Sequence, residues 1–547
     1  MKQMFKGANN SRETALYQGI TAQDTTIRLL TVAGLPPAPN IATIGMDDDA
    51  EVVYYGGVSG TSLTGCVRGF GGTVAKDWLA ETIVARCFTC YDHDTFVENI
   101  MELQSDVRKY GVKFTGSASA GERLYDARGM VAGVSTDKEH RRNDFDNVMP
   151  WAGMRRCNTA VIEGERVPTV FEGEVGFDNV NKDVFVYVPL FFYYRSPDDR
   201  EHVVSMQRIS GFRAPQKFKK KDGTLRDFVF LPAYTAGLVD GVPVSRSGHY
   251  PHITSTTGWM NLCKQKHSGG LDGDVWIEGM ADDEIKNILL DIEFATRDHQ
   301  TFMQGASSMR YTSDKVTTGG TDKFTVTPEI AMNYAVGQAI AIGTADKGSQ
   351  KADNATITGI NTDTGEITFK PVSGSVTVDA GNFISSRPWK SGACDNVQGS
   401  CGSPVDNTNG RFPCVYRGIE NPYGNQYRFR WDFLKNDDQP YVLDDPNNYD
   451  GSLNEHYTAL GYKVATTNGY ATEMGFDEKF PHARVTSAIG GGSSTYFADY
   501  YYYAAGLRVL RVGGNVPDGR YAGARSCYVN SSPSSAGWSF GAALSPA

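Results

Sequence analysis

Nine cysteines and nine histidines are the side chains of this chain best suited to metal or thiol chemistry, and their spacing is poor for both. Cys87 and Cys90 form one CxxC, with His93 three residues on and Cys66 as a further thiolate. A zinc site of this kind takes a second ligand pair, which the sequence does not supply. Cys394, Cys401 and Cys414 cluster in a loop-rich stretch, where they either stay reduced or pair after release from the cell. His249 and His252 sit close together in SGHYPHITSTTGW, but no HExxH accompanies them. Gly69 to Gly72 read GFGG without the Lys-Ser/Thr of a phosphate loop. A serine, His140 and aspartates fall together in GVSTDKEHRRND, yet nearness in sequence does not make a triad. A glycosidase needs two carboxylates across a cleft, and the last fifty residues offer only Asp499 and Asp518. Residues 437–455 are acidic and Asn-rich, but Gly451 is misplaced for a calcium loop counted from Asp445. No catalytic residue, metal or cofactor is expected, and the chain reads as a non-enzyme.

Binding chemistry is better represented. Residues 496–547 hold seven Tyr, seven Ser, seven Gly and no Lys. Rigid amphipathic rings with small polar neighbours are the mixture found in antibody paratopes. Asn515, Asp518, Arg520, Tyr521, Arg525, Tyr528, Asn530, Ser532 and Trp538 are the candidate contact residues. Arg, Tyr and Trp are the types enriched at binding hot spots. Trp538 has an alternative place in the core, and half of Tyr500–Tyr503 must point inward if they form a strand.

These residues need a scaffold. A length of 547 residues implies two to four domains, and 40% hydrophobic with 21% charged residues implies a globular chain. The net charge of −10 disfavours a chain-wide nucleic-acid role. No apolar run approaches the ~20 residues of a membrane span, and the N-terminus lacks a signal-peptide core. The expectation is synthesis in a cytoplasm, without membrane insertion.

The fold expected is mainly β with an α+β C-terminal part. Residues 1–92 alternate short β-rich runs with Gly, Pro and Asp turns. A helix over 94–110 carries Phe96, Ile100, Leu103, Val107 and Tyr110 at the 4-3-4-3 spacing of a coiled-coil seam, so 93–112 reads as a stem. Residues 113–143 read as an extended linker, and 144–310 begin a large domain. Its strands include 184–194, and a helix over 282–296 is capped by Asp282 or Asp283. Residues 311–388 are all short strands and turns, an inserted β domain whose AVGQAIAIGT echoes the N-terminal NIATIGM. The large domain resumes over 389–547.

Several phrases carry a resemblance. GLRVLRVGGNVPDGRYAGARSCYVNSSPSSAGWSFGAAL resembles the end of the C-type-lectin fold of formylglycine-generating enzymes, and GIENPYGNQYRFRW, from Gly418, resembles that family's G-I-E-N-x-x-G-N-x-W-E-W phrase. Tyr427, Arg428 and Phe429 replace the usual Trp-Glu-Trp. The enzymes' reactive Cys pair is missing, since Asn515, Val516, Pro517 and Asp518 occupy its place and Cys527 stands alone. The pattern is closest to the receptor-binding proteins of phages with diversity-generating retroelements, in which the stretch after the Gly pair is the variable surface. ATIGMDDDAEVVYY, CVRGFGGTVAKDW and FTCYDHD resemble N-terminal modules of phage tail and baseplate proteins. The resemblance implies a homotrimeric adhesin at a phage tail tip in the virion. Its partners would be a bacterial surface receptor, glycan or protein, and other tail proteins through the N-terminal module. The alternatives are a structural fibre or baseplate component and, behind it, a glycan-degrading tail enzyme.

Overall fold

The computed structural model describes residues 3–105, 107–136, 142–268, 274–309, 314–405 and 409–546. His140 lies outside the described residues, as does the side chain of Leu103. The chain is mainly β and divides into two compact units, Met1–Val107 and the remainder from Arg108. Among the described residues no helix is long and apolar enough to cross a membrane.

The first unit is built on six antiparallel strands: β1 (Thr14–Ala15), β2 (Thr26–Arg28), β3 (Asn40–Ile44), β4 (Glu51–Ser59), β5 (Ser62–Val67) and β6 (Ile83–Ala85). Their order is β1-β6-β3-β4-β5-β2, and a bridge from Leu16 to Leu29 joins the two outer strands, closing the sheet on itself. Closure removes the free edges that short β sequences otherwise leave open. Inside are Leu16, Ile27, Ala42, Ile44, Val53, Tyr55 and Leu63. Glu51 is fully buried beside Arg68, which donates to both its oxygens at 2.7 Å, while Trp78 Nε1 and the Gly69 N–H donate at 2.8 and 2.9 Å. Burial works against the charge of Glu51, but these donors outweigh it and hold the carboxyl below its ordinary value.

Helix α1 (Cys90–Ser105) follows. Thr89 and Asp92 exchange hydrogen bonds across its first turn, the reciprocal cap that sets where it starts. The helix therefore begins earlier than the apolar spacing predicts, and it also ends earlier, at Ser105. Tyr110 belongs instead to a strand, Tyr110–Phe114, in the second unit. The expected linker is likewise partly strand. Tyr110–Phe114 and Gly121–Tyr125 pair with each other and extend a sheet with Phe192–Arg195 and Glu201–Ser205. Val112 and Phe114 alternate into the core there, which sequence polarity around them concealed.

In the second unit, residues on both sides of position 350 share the same cores. One core joins Phe145, Trp151 and Val186 to Tyr416, Ile419 and Tyr423. Another joins Phe185, Trp259 and Trp276 to Phe429, Val509 and Leu544. Helices α2 (Thr256–Ser268) and α3 (Met280–Phe294) pack in these cores. Helix α3 starts at Met280, ahead of the predicted start, because Asp282 reaches back to accept from the Gly279 N–H at 2.9 Å.

Residues 314–387 keep a core of their own, with Phe324, Ile340, Ile357 and Ile384. The strands are β7 (Asp314–Lys315), β8 (Lys323–Thr325), β9 (Ala339–Ala345), β10 (Gly348–Asn361), β11 (Glu366–Lys370) and β12 (Phe383–Arg387), in the order β7-β12-β9-β10-β11-β8.

The C-terminal residues form one large sheet. It comprises β13 (Tyr427–Asn436), β14 (Gln439–Leu443), β15 (Tyr457–Ala459), β16 (Gly469–Met474), β17 (Thr486–Ile489), β18 (Tyr500–Tyr503), β19 (Leu507–Gly513), β20 (Gly523–Ser531) and β21 (Phe540–Gly541). The order is β15-β14-β13-β19-β20-β18-β16-β17, with β21 alongside β13.

Candidate binding surface

Strand β18 is four tyrosines long, and its pleat divides them. Tyr501 is fully buried and donates to the Ala465 carbonyl at 2.8 Å. Tyr500 and Tyr502 lie on the other face. Register then extends a line of rings across the sheet. Tyr470 pairs with Tyr500, and Tyr502 with Tyr528 in parallel. Ring centroids are 4.9 Å apart for Tyr470 and Tyr500, 4.7 Å for Tyr500 and Tyr502, 4.8 Å for Tyr502 and Tyr528, and 4.4 Å for Tyr528 and Tyr427. Tyr521 joins from the loop, 4.3 Å from Tyr500 and 40% exposed. Tilted and offset rings at these separations attract one another beyond their area burial.

Two charges hold the deep end of the band. The Asp518 carboxylate accepts from the hydroxyls of Tyr427 and Tyr528, each at 2.9 Å, and from the Asn515 N–H at 3.0 Å. Burial raises its pKa, and those donors oppose the rise. Arg511 lies 3.9 Å from the centre of the Phe540 ring and 4.6 Å from that of Tyr427, and it donates to Asn530 Oδ1 at 2.6 Å. Burial pushes its guanidinium down to about 10. The turn into this loop depends on Gly513 and Gly514, at φ +91° and +77°. A Cβ on Gly514 would stand 2.7 Å from the Ala522 Cβ, so a side chain is excluded there twice over.

The predicted contact residues divide accordingly. Tyr521 and Asn530 are exposed, and Arg520 and Ser532 are half-buried. Arg520 pairs with Asp298 at 2.5 Å and donates to Gln300 Oε1 at 3.4 Å. Ser532 bonds the hydroxyls of Ser534 and Ser535. Trp538 is half-buried in a small cluster with Met309, Trp389 and Val516. Arg525, Tyr528 and Asn515 are corrections, because all three are buried. Arg525 grips Asp291 of α3 through two bonds of 2.8 and 2.7 Å, a core ion pair with no surface role. The Tyr528 ring lies within the band, with its hydroxyl turned inward to Asp518. Asn515 supports Asp518 from the loop.

Tyr470, Tyr500, Tyr502 and Tyr427 were not singled out as contact residues from sequence. Alternation in Tyr500–Tyr503 announces that two face one way. Nothing in sequence announces Tyr470, which reaches the band only by strand pairing.

Acid–base groups crowd elsewhere, in the core. His202 lies 2.9 Å from Asp199 and 3.1 Å from Asp291, and His299 lies 3.1 Å from Asp291. Burial opposes the charge on Asp291, but Arg525 and the two histidines outweigh it and hold the carboxyl well below its usual range. Every member of this group is buried, which suits an internal ion network better than a site that meets substrate. All nine cysteines are free. Burial raises the thiols of Cys394 and Cys401 well above the ordinary value and those of Cys414 and Cys527 to about 12, so all four are poor nucleophiles and poor ligands. Among the described residues no group of three or more His, Cys, Asp or Glu could hold a metal ion. Cys66 points into the first unit's core, while Cys87 lies against Met46 at 3.9 Å.

No protein-family model matches this chain, and no curated protein sequence is similar to it.

Proposed function

We propose that this chain is the receptor-binding protein of a phage tail tip, in which the C-terminal sheet recognises a bacterial surface molecule without covalent chemistry. The observation that carries the reading is the tyrosine band. Tyr470, Tyr500, Tyr502 and Tyr521 make an aromatic surface with few charges, and strand register and the half-buried Asp518 immobilise its base. Rings that are already ordered lose little conformational freedom when a ligand arrives, which favours binding. The resemblance of the last fifty residues to lectin-fold phage adhesins supplies the biological setting, and the first unit attaches to the particle. Exposed Phe96 and Ile100 on α1 suit a short trimeric stem, which multiplies weak single contacts by avidity.

The test is binding of the labelled full chain to a panel of intact bacterial strains, parent against Tyr500→Ala/Tyr521→Ala. Strain-specific binding that the double variant loses, with its melting temperature unchanged, supports the reading. Binding that survives moves the receptor site off the band. A parent that binds no strain while assembling with tail proteins favours the structural fibre or baseplate role.

A further inference from the structure

The two closed sheets of this protein have the same strand order. Adding six to each label of β1-β6-β3-β4-β5-β2 gives β7-β12-β9-β10-β11-β8. All neighbours in both are antiparallel. Small barrels can share an order by chance, so the residue registers matter more.

The registers agree. Thr14 pairs with Val84 as Asp314 pairs with Ile384, and Ile44 pairs with Val84 as Ile342 pairs with Ile384. Ile27 pairs with Leu63 as Phe324 pairs with Ile367. Tyr54 lies between Ile41 and Val67 as Thr356 lies between Ala339 and Lys370. Hydrogen bonds outside the ladders repeat too. The Tyr17 N–H donates to the Arg28 carbonyl at 2.9 Å, and the Thr317 N–H to that of Thr325 at 2.8 Å. Leu29 donates to Thr61 at 2.9 Å, and Val326 to Gly365 at 3.0 Å. Cys66 donates to Thr25 at 2.9 Å, and Phe369 to Asp322 at 3.0 Å.

Side chains keep the correspondence while differing in identity. Gly57 and Gly359 occupy one position, and at each a Cβ would stand 2.8 Å from the hydroxyl oxygen of the facing threonine, Thr64 or Thr368. Ala42 faces Val53 in the first core, where Ile340 faces Ala355 in the second. Large and small have changed sides across one cross-strand pair, the kind of volume-conserving exchange that cores tolerate. Asn40 accepts from Arg86 at 3.1 Å, where Gln338 donates to Ser386 at 2.8 Å. The departures are bulges in the second copy, between Ile357 and Gly359 and across Ile340–Gly343, and an added strand pair, Gly320–Thr321 with Thr377–Val378.

We propose that residues 314–386 are a second copy of the N-terminal module, lodged in a loop of the second unit as a separately folding accessory domain. Its first and last strands are neighbours, so entry and exit lie side by side and the host loop need not stretch. The copy sits on its host through a hydroxyl contact from Tyr250 to Thr356, through Gly337 against Trp389, and through Ala335 in the cluster that holds Trp389, Val516 and Trp538. It thereby walls the C-terminal loop on the Trp538 side. This inference stands whether or not the tyrosine band meets a receptor.

The experiment is a module exchange in the full chain. Residues 14–86 and 314–386 are equal in length and matched at both ends, so a copy of 14–86 can replace 314–386 directly. A second variant replaces 314–386 with a flexible Gly/Ser linker. Calorimetry and limited proteolysis follow the host unit in each. The expected result is a host transition within a few degrees of the parent in both variants, and a protease-resistant module in the exchanged chain. An exchanged chain that aggregates or is cleaved within the module, beside an intact linker variant, overturns equivalence of the copies. Loss of the host transition in the linker variant overturns the accessory role, because the host then needs 314–386 for its own core.

Discussion

Arg520 and Arg525 are five residues apart in one loop-and-strand segment, and replacing each by alanine should destabilise the fold to very different extents. Arg525 and its partner Asp291 have side-chain exposures of 3% and 0%, joined by two hydrogen bonds. Removing one member of such a pair leaves a buried charge uncompensated, which costs about 3–5 kcal/mol. His202 and His299 still face Asp291, so the low end of that range is expected. The Arg520 side chain is 38% exposed, so solvent screens its pair with Asp298 although that carboxylate is only 6% exposed. Its loss should cost about 1 kcal/mol, well below the Arg525 value. Urea unfolding followed by tryptophan fluorescence measures both, since all seven tryptophans except Trp78 lie beyond Arg108. The pH dependence adds a second readout. Asp291 is held well below its unfolded value of 3.8, so its contribution is present above that value and lost as pH falls through the folded pKa. Arg525→Ala should therefore lose stability at neutral pH and show a weaker acid dependence than the parent. An Arg525→Ala protein within ~1 kcal/mol of the parent at pH 7 would refute the assignment of this arginine to the core.

Other perturbations test the remaining geometry. Gly514→Ala, at positive φ and against Ala522, should destabilise by about 1–3 kcal/mol in the same urea assay. Asp499 is pushed up to about 8 by burial, against a hydrogen bond from the Arg525 N–H. The folded chain then holds a proton that the unfolded chain releases near 3.8, so this group lowers stability as pH rises from about 4 to about 8. Asp499→Asn should flatten that slope in melting temperatures taken across the range. Gly57→Ala and Gly359→Ala should each lower the stability of their own module. Thr64→Ala and Thr368→Ala, respectively, should restore part of it, as read by amide hydrogen exchange, because each removes the hydroxyl that the new methyl would meet.

Local chemistry made much of this protein legible in one dimension. The β character of the first unit, the short strands within residues 314–387 and the alternation within Tyr500–Tyr503 follow from strand propensity and period-two patterning, which need only near neighbours. The fragment AIAIG hinted at IATIG, but a short echo does not specify a barrel. Strand order and register establish the match, because they compare what each residue faces instead of what it is. Capping moved helix boundaries that apolar spacing alone had set too late, at Thr89 with Asp92 and at Gly279 with Asp282. The candidate surface was legible as a composition and not as a set of residues. Tyr521 and Arg525 both look like contact residues in sequence. Only the tertiary structure brings Asp291 from a helix more than two hundred positions away to bury one, and brings Tyr470 and Tyr500 beneath the other. The deciding quantity is burial, set by residues distant along the chain, and composition carries no record of it.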